Sequence, residues 1–530
     1  MLPKSRLMAS SALRVAMLAG ALMVPSAAIS DTVSLKSADG TVNLQGEFVS
    51  FEDNTYVIRT GLGELRISAA RVRCEGAACP QFETATADVV IAGSDTVGLG
   101  LMPLLLEGYA GFLDAEATFT STSVKDEIIG EFIGDQGFGD EIGSFLVSST
   151  TSGDSFKKLG DKSTEIGMAS RRIKPAEARA LRDAGAGNMI DPDNEHIIAV
   201  DSLVVITHPS NPVKSLTMAQ LAGIYAGEIT NWREVGGPNL QIEVFDRQQG
   251  SGTRSVFAKS VFDGENVSFR GAQPVDTNTE MATAVNASES AIGYVSYAFQ
   301  RGAKPLNLVN ECGITMTPDV FSARTEEYAL QRRLYLYTRS DTISDASRDF
   351  LEYVESENAD GVIQKSGFIG LGIDRRTQPL DGDRARALLD SSVDAFEGQV
   401  MREMLGSMVE HDRLSTTFRF ATGSSRLDER GILDMQRLAS YLESQPSGTK
   451  VTFVGFTDDV GAFESNRALS ERRSAQVMEQ MADFASGRLG GIEMASAGYG
   501  EVAPSACNVS EDGRRINRRV EVWIQNPNAS

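Results

Sequence analysis

The 530-residue sequence predicts a multidomain chain: a small all-β module, a large α/β region in the middle and a smaller α/β unit at the C-terminal end. Three observations predict it. Short strand-like runs separated by turn signals fill residues 31–80. Apolar strand-like runs alternate with helical stretches over 85–370. Residues 414–527 hold three more strand-like runs with two amphipathic helical segments between them.

The first thirty residues read as an export signal. Lys4, Arg6 and Arg14 supply positive charge, Val15 to Val24 are largely apolar, and small residues precede Asp31. The apolar run is short for a membrane span, and no later stretch is long enough. The mature protein is therefore expected to be soluble and outside the cytoplasm. In that oxidising space Cys74 and Cys79, in "CEGAAC", are expected to form a small disulfide loop, whereas the pairing of Cys312 and Cys507 stays open. The β module carries its strands as "TVNLQGEFVSF", "NTYVIRT" and "GELRISAARVRC", and shows no catalytic constellation.

The formal charge of -22 excludes a nucleic-acid or anionic-membrane partner held by bulk electrostatics. Any anion must be bound locally, by a few aimed donors. Three strand-to-helix junctions in the middle region offer such donors. "GSDTVGLGLMPLL" follows the apolar "VVIA" and puts Thr96 at a helix start. "STTSGDSFKKL" offers Thr151 and Ser152. "DRQQGSGTRSVF" (Asp246–Phe257) sets Arg247 four residues before Ser251, Gly252 and Thr253. Helix starts present unpaired N–H groups, hydroxyls add donors, and arginine adds a bidentate fork. The same hydroxyls also read as ordinary helix caps, so composition leaves both readings open.

"AVDSLVVITHPSNPVKSLTMAQLAGIYAGEITNWREVGG" (Ala199–Gly237), followed by "DRQQGSGTRSVF" and "AIGYVSYAF", resembles the periplasmic phosphate-binding proteins of the PstS type. The resemblance implies a two-lobed α/β periplasmic-binding-protein fold of type II over 85–370, closing on one phosphate. It implies donors from Thr96, Val97 and Thr151 or Ser152 in the first lobe, and from Arg247, Ser251, Gly252 and Thr253 in the second. One position departs: in "GMASRR", Arg171 stands where the best-known members carry an aspartate that accepts the proton of monohydrogen phosphate. Arginine has no acceptor lone pair. It is expected to hold the dianion, but not to read its proton.

The stretch 377–413 is rich in Ala, Asp, Glu and Arg, with helical apolar spacing at Leu388, Val393, Phe396 and Val400, and reads as a helical linker. Beyond it, "FTDDVGAFESNRALSERRSAQV" (Phe456–Val477) delivers Asp458 to a loop and returns Arg473 on a helix. Such a pair is either a plain salt bridge or a clamp for a zwitterion. The string resembles the OmpA-like peptidoglycan-binding domain, over 414–527. The resemblance implies that Asp458 and Arg473 hold diaminopimelate of the wall peptide, with Asn466 and Leu469 in support.

Together these features predict a periplasmic substrate-binding protein that captures phosphate or a similar oxyanion, delivers it to an ABC transporter and is tethered to peptidoglycan at the wall or outer membrane. The alternative is an envelope-anchoring or sensor protein whose two-lobed domain binds another ligand or a protein partner. An enzyme is not expected. His196, His208 and His411 lie far apart, no Cys/His spacing suits a metal, and no nucleophile elbow appears. No cofactor is expected either.

Overall fold

The computed structural model describes residues 32–527, except 38–41, 53–54, 69–71, 77, 81–86, 136–139, 263, 265–266, 390–392 and 421–429. The export signal expected at 1–30 lies outside the described residues. Among the described residues, no helix is long and apolar enough to cross a membrane.

The N-terminal module is a five-stranded antiparallel sheet. It adds Thr32–Lys36 to the strands read from the sequence, and that strand lies between Asn43–Glu52 and Arg73–Glu75. Alternation along the strands turns Val33, Leu35, Tyr56 and Ile58 to one face, and the Cys74–Cys79 disulfide packs against that cluster.

The middle region is built on one sheet continuous through two lobes. The first lobe contributes Val89–Ser94, Ala115–Ser121, Glu127–Gly134, Glu141–Thr150 and Ile166–Ala169; the second contributes Glu243–Arg247, Gln273–Val275 and Ala291–Ser296. Two long strands, Glu195–Thr207 and Gln331–Thr338, pair antiparallel and join the halves. Their passage between lobes makes them the hinge. Val89–Ser94 pairs in parallel with Glu141–Thr150 and with Ile166–Ala169; buried between them, it reads as the apolar run "VVIA". One apolar cluster spans both lobes, from Val97, Leu105 and Phe145 to Met281, Val295 and Phe299. A second cluster around Trp232, Phe257 and Tyr294 belongs to the second lobe.

The C-terminal domain has a five-stranded sheet with Arg519–Gln525 at its centre, between His411–Arg419 and Lys450–Gly455. Helices Arg430–Glu443 and Phe463–Ala485 pack on one face of it. The stretch 377–413 is helical over Asp383–Leu389 and Ala395–Glu410, but it is not a free spacer. Leu388, Val400, Met404 and Met408 are buried against Val454, Phe456 and Trp523 on the other face of the sheet, and His411–Arg413 already belong to a strand. The apolar spacing that marked a helix was the spacing of a docking face.

Candidate functional site

Each of the three junctions places a strand end and a helix start at the boundary between the lobes. Val89–Ser94 leads into the helix Asp95–Gly100, Glu141–Thr150 into Ser152–Gly160, and Glu243–Arg247 into Gly252–Phe262. The loop before the last helix is shaped by Asp246. Its carboxylate accepts the Arg247 backbone N–H at 2.8 Å, the Arg254 guanidinium at 2.8 Å and the Tyr294 hydroxyl. Burial, then the nearby Asp246 charge, pushes that phenol well above its ordinary range, so it stays a donor. Gly250 completes the turn at φ 87°, a left-handed conformation that favours glycine.

Across the boundary the donors converge. Thr96 Oγ1 of the first lobe lies 3.3 Å from Thr253 Oγ1 of the second. Ser94, Ser170 and Ser152 form a hydroxyl chain beside them, at 2.9 and 3.3 Å, and the Ser170 N–H donates to Ser152 Oγ at 3.0 Å. Gly252 enters this group so closely that a Cβ there would stand 2.3 Å from both Ser152 Oγ and Ser170 Oγ. Only a glycine lets the second lobe approach the first at that point.

Two buried guanidiniums close the cluster. Arg247, 2% exposed, pairs its Nη2 with Asp95 at 3.0 Å and donates to the Asp276 carbonyl at 2.7 Å. Its Nε and Nη1 are buried without a hydrogen-bond partner. Arg332, also buried, pairs with Asp201 at 2.7 Å and donates to Thr253 Oγ1 at 2.9 Å and Thr96 Oγ1 at 3.4 Å. Burial lowers its pKa from the ordinary arginine value, against the opposing pull of Asp201 and Asp95. Asn278 links the lobes again, donating to Thr96 Oγ1 at 2.9 Å and Asp95 Oδ2 at 3.2 Å. An unmade hydrogen bond on a buried guanidinium is costly, so a site of this kind suits a compact anion that accepts several donors at once.

Of the residues read from the sequence, Thr96, Ser152, Arg247, Gly252 and Thr253 meet in this cluster. Val97 is buried as the third residue of the first helix. Thr151 is spent as a helix cap, accepting the Asp154 N–H at 3.2 Å and donating to its carboxylate at 2.8 Å. Ser251 likewise accepts the Arg254 N–H at 3.3 Å.

Arg171 requires a correction: it does not join the donors. Its guanidinium forks onto Glu177 at 2.8 and 2.6 Å and lies 5.2 Å from the Phe156 ring centroid. The helix that follows begins at Pro175 and carries Glu177 in its first turn, which holds the arginine on that carboxylate rather than among the hydroxyls. The cation beside the hydroxyls is Arg332 instead. Sequence reasoning missed Arg332, and with it Asp95, Ser170, Asp201 and Asn278. The available signal was "QRRLYLYT", two arginines directly before the apolar run LYLY of a strand.

In the C-terminal domain, Asp458 and Arg473 face one another without pairing. Asp458 accepts Arg518 at 2.7 Å, and Arg518 is shared with Glu511 at 2.7 Å. Arg473 lies 5.2 Å from the Phe420 ring centroid and keeps a buried Nη1 without a partner. Burial and the Arg518 charge lower its pKa, while Asp458 acts in the opposite direction. Asn466 donates to the Asp458 carbonyl at 3.3 Å and to Glu501, so it shapes the Asp458 loop from within. Leu469 is half-buried on the same helix.

Comparison with known proteins agrees with this two-part layout. The PBP superfamily domain matches residues 80–358, and the OmpA family matches residues 419–518. The chain is 30% identical over 236 residues to the phosphate-binding protein PstS of Staphylococcus saprophyticus, covering 42% of this chain and 71% of that one. It is 35% identical over 122 residues to outer membrane porin F of Pseudomonas aeruginosa, covering 22% of this chain and 33% of the porin. Among solved structures, it is similar to a putative phosphate ABC transporter substrate-binding protein with bound phosphate from Clostridium perfringens. That match has 26% identity and a TM-score of 0.42, and it covers 53% of this chain and 98% of the other. With a family match over more than half its length, this chain belongs to the PBP superfamily, in its PstS branch, and it carries an OmpA domain behind the two lobes.

Proposed function

We propose that the two-lobed domain captures phosphate, or a closely similar tetrahedral oxyanion, in the periplasm, and that the OmpA domain moors the protein to peptidoglycan. The observation that carries the reading is Arg247: a guanidinium buried at the lobe boundary, tied to the hydroxyl cluster through Asp95 and Asn278, with two nitrogens left without a partner. A tetrahedral oxyanion offers it charge-assisted acceptors, and the hydroxyls of Thr96, Thr253, Ser94, Ser152 and Ser170 are within the same group.

Asp95 supplies the acceptor that Arg171 does not. A carboxylate beside the site favours an anion that still carries a proton, so monohydrogen phosphate is expected to bind better than sulfate. Capture is followed, in this reading, by hand-off to an ABC-transporter permease, a step that rests on the family resemblance alone. The second function rests on Asp458 and Arg473, an unlike-charged pair not bonded to one another, which suits the carboxylate and ammonium of diaminopimelate.

Calorimetric titration with phosphate and with sulfate tests the first part. Wild type should release heat with phosphate and little with sulfate, and Arg247→Ala should release none. Heat with neither anion would instead favour an envelope anchor or sensor whose two-lobed domain has another ligand.

A further inference from the structure

The chain between the short helix Val320–Arg324 and the strand Gln331–Thr338 lies where the second lobe meets the hinge, and the C-terminal domain grips it. Arg419 donates to Glu326 at 3.1 Å and to the Thr325 carbonyl, and Arg515 approaches Glu326 at 3.4 Å. Glu327 accepts Arg413 at 2.7 Å and the Ser505 hydroxyl at 2.8 Å. Arg376 pairs with Asp319 at 2.6 Å, and Cys312 is bonded to Cys507. Glu326 is held at φ 58°, a conformation a non-glycine residue adopts only when its surroundings impose it.

The same domain also reaches the other side of the hinge. Arg437 lies 3.6 Å from Asp360, whose helix packs on the first lobe, and Asp434 lies 3.7 Å from Arg333 on the hinge strand. Arg332 and Arg333 are neighbours on that strand and project to opposite faces. Arg332 enters the anion cluster, while Arg333 meets Glu326 at 3.5 Å and looks toward the C-terminal domain. The contact is not flush. A cavity of about 1820 Å³, lined among others by Ser255, Gln331, Arg333, Gln480 and Phe484, separates the two surfaces between these ties. Discrete polar ties around a hollow can be released without exposing a continuous apolar core.

We propose that the C-terminal domain is a brace across the hinge, holding the two lobes together and coupling the anion site to the domain that carries Asp458 and Arg473. Opening turns one lobe relative to the other about the crossing strands. A domain fixed to the second lobe by a covalent bond and buried ion pairs cannot follow that turn and also keep Asp360 and Arg333. Opening therefore breaks one set of ties, and the closed arrangement is favoured before any anion arrives. An anion that binds the closed form gains by that bias. By linkage, whatever shifts the brace changes anion affinity, and the anion changes the brace by the same factor.

The identity of the anion in this inference rests on the phosphate reading; the brace itself does not. The test compares the full chain with the Cys312→Ser/Cys507→Ser variant and, with the disulfide kept, with Glu327→Gln. Small-angle scattering is recorded without and with inorganic phosphate, and phosphate affinity is measured by calorimetry. Wild type should keep one scattering curve in both conditions. The variants should expand without phosphate, contract with it and bind it more weakly by about 5- to 150-fold. If both folded variants scatter like wild type without phosphate, the brace is wrong. If wild type binds no phosphate, the phosphate reading fails, and the ligand-free scattering still decides the brace.

Discussion

The anion cluster and the C-terminal pair are both built around a buried arginine with a partnerless nitrogen, Arg247 in one and Arg473 in the other. They differ in who holds the arginine in place. Arg247 is completed from two sides, by Asp95 of the first lobe and the Asp276 carbonyl of the second, and its neighbours Thr96 and Thr253 meet across a boundary that can part. Arg473 and Asp458 ride on one domain built on a single sheet, and Arg518 keeps the carboxylate placed. A site shared between bodies depends on their closing, whereas a site on one body is preorganised. Mutations should separate the two.

The largest effect is expected at Arg247. Arg247→Ala should weaken phosphate binding by at least about a hundredfold in calorimetry, because charge-assisted bonds are lost. It should also lower stability by about 3–5 kcal/mol, because Asp95 is left as an uncompensated buried charge. Gly252→Ala comes next and isolates closure from chemistry. Every donor remains, yet the new methyl meets Ser152 and Ser170, so affinity should fall by roughly tenfold through a smaller closed population. Normal affinity in that variant would show that the lobes need not approach as closely as seen.

Asp458→Ala or Arg473→Ala should abolish pull-down on purified peptidoglycan and leave phosphate titration unchanged in heat. A loss of phosphate binding in either would erase the distinction between a shared and a single-body site.

Acid sharpens the comparison at the surface between the domains. Burial raises the Glu327 carboxyl, but Arg413, through its charge and its hydrogen bond, outweighs this and lowers the pKa from 4.5 to about 2. The folded value is below the unfolded one, so this tie contributes fully above about pH 4.5 and is lost as pH falls toward 2. Scattering recorded from pH 5 downward should show expansion in that window, and Glu327→Gln should flatten the response.

The smallest effect is expected at Arg171. Arg171→Ala should change phosphate affinity by less than about twofold, since the side chain serves Glu177, while costing about 1–3 kcal/mol of stability.

Local signals were legible in the sequence, and long-range ones were not. The three junctions announced themselves because hydroxyls, glycines and Arg247 sit within a few residues of each helix start. The Asp458–Arg473 string was legible for the same reason. Arg332, Asp201 and Asn278 reach the cluster from three separate elements, and although "QRRLYLYT" marks an unusual strand, nothing in it shows that the three meet. Arg171 misled because its position along the chain is right but its side chain answers to Glu177, six residues on. The helices of 377–413 were visible as helices, yet the sheet that Met404 and Met408 cover lies in another part of the sequence. Arg332 and Arg333 stand side by side in the chain and serve opposite surfaces, which alternation along a strand predicts once the strand is known.

The two disulfides join cysteines in the order in which they occur, 74 with 79 and 312 with 507. With such consecutive connectivity, thiols that pair in chain order give both bonds, and no wrong bond has to be reshuffled. Cys312 nevertheless meets its partner only 195 residues further on, so the second bond cannot close before the last domain is present.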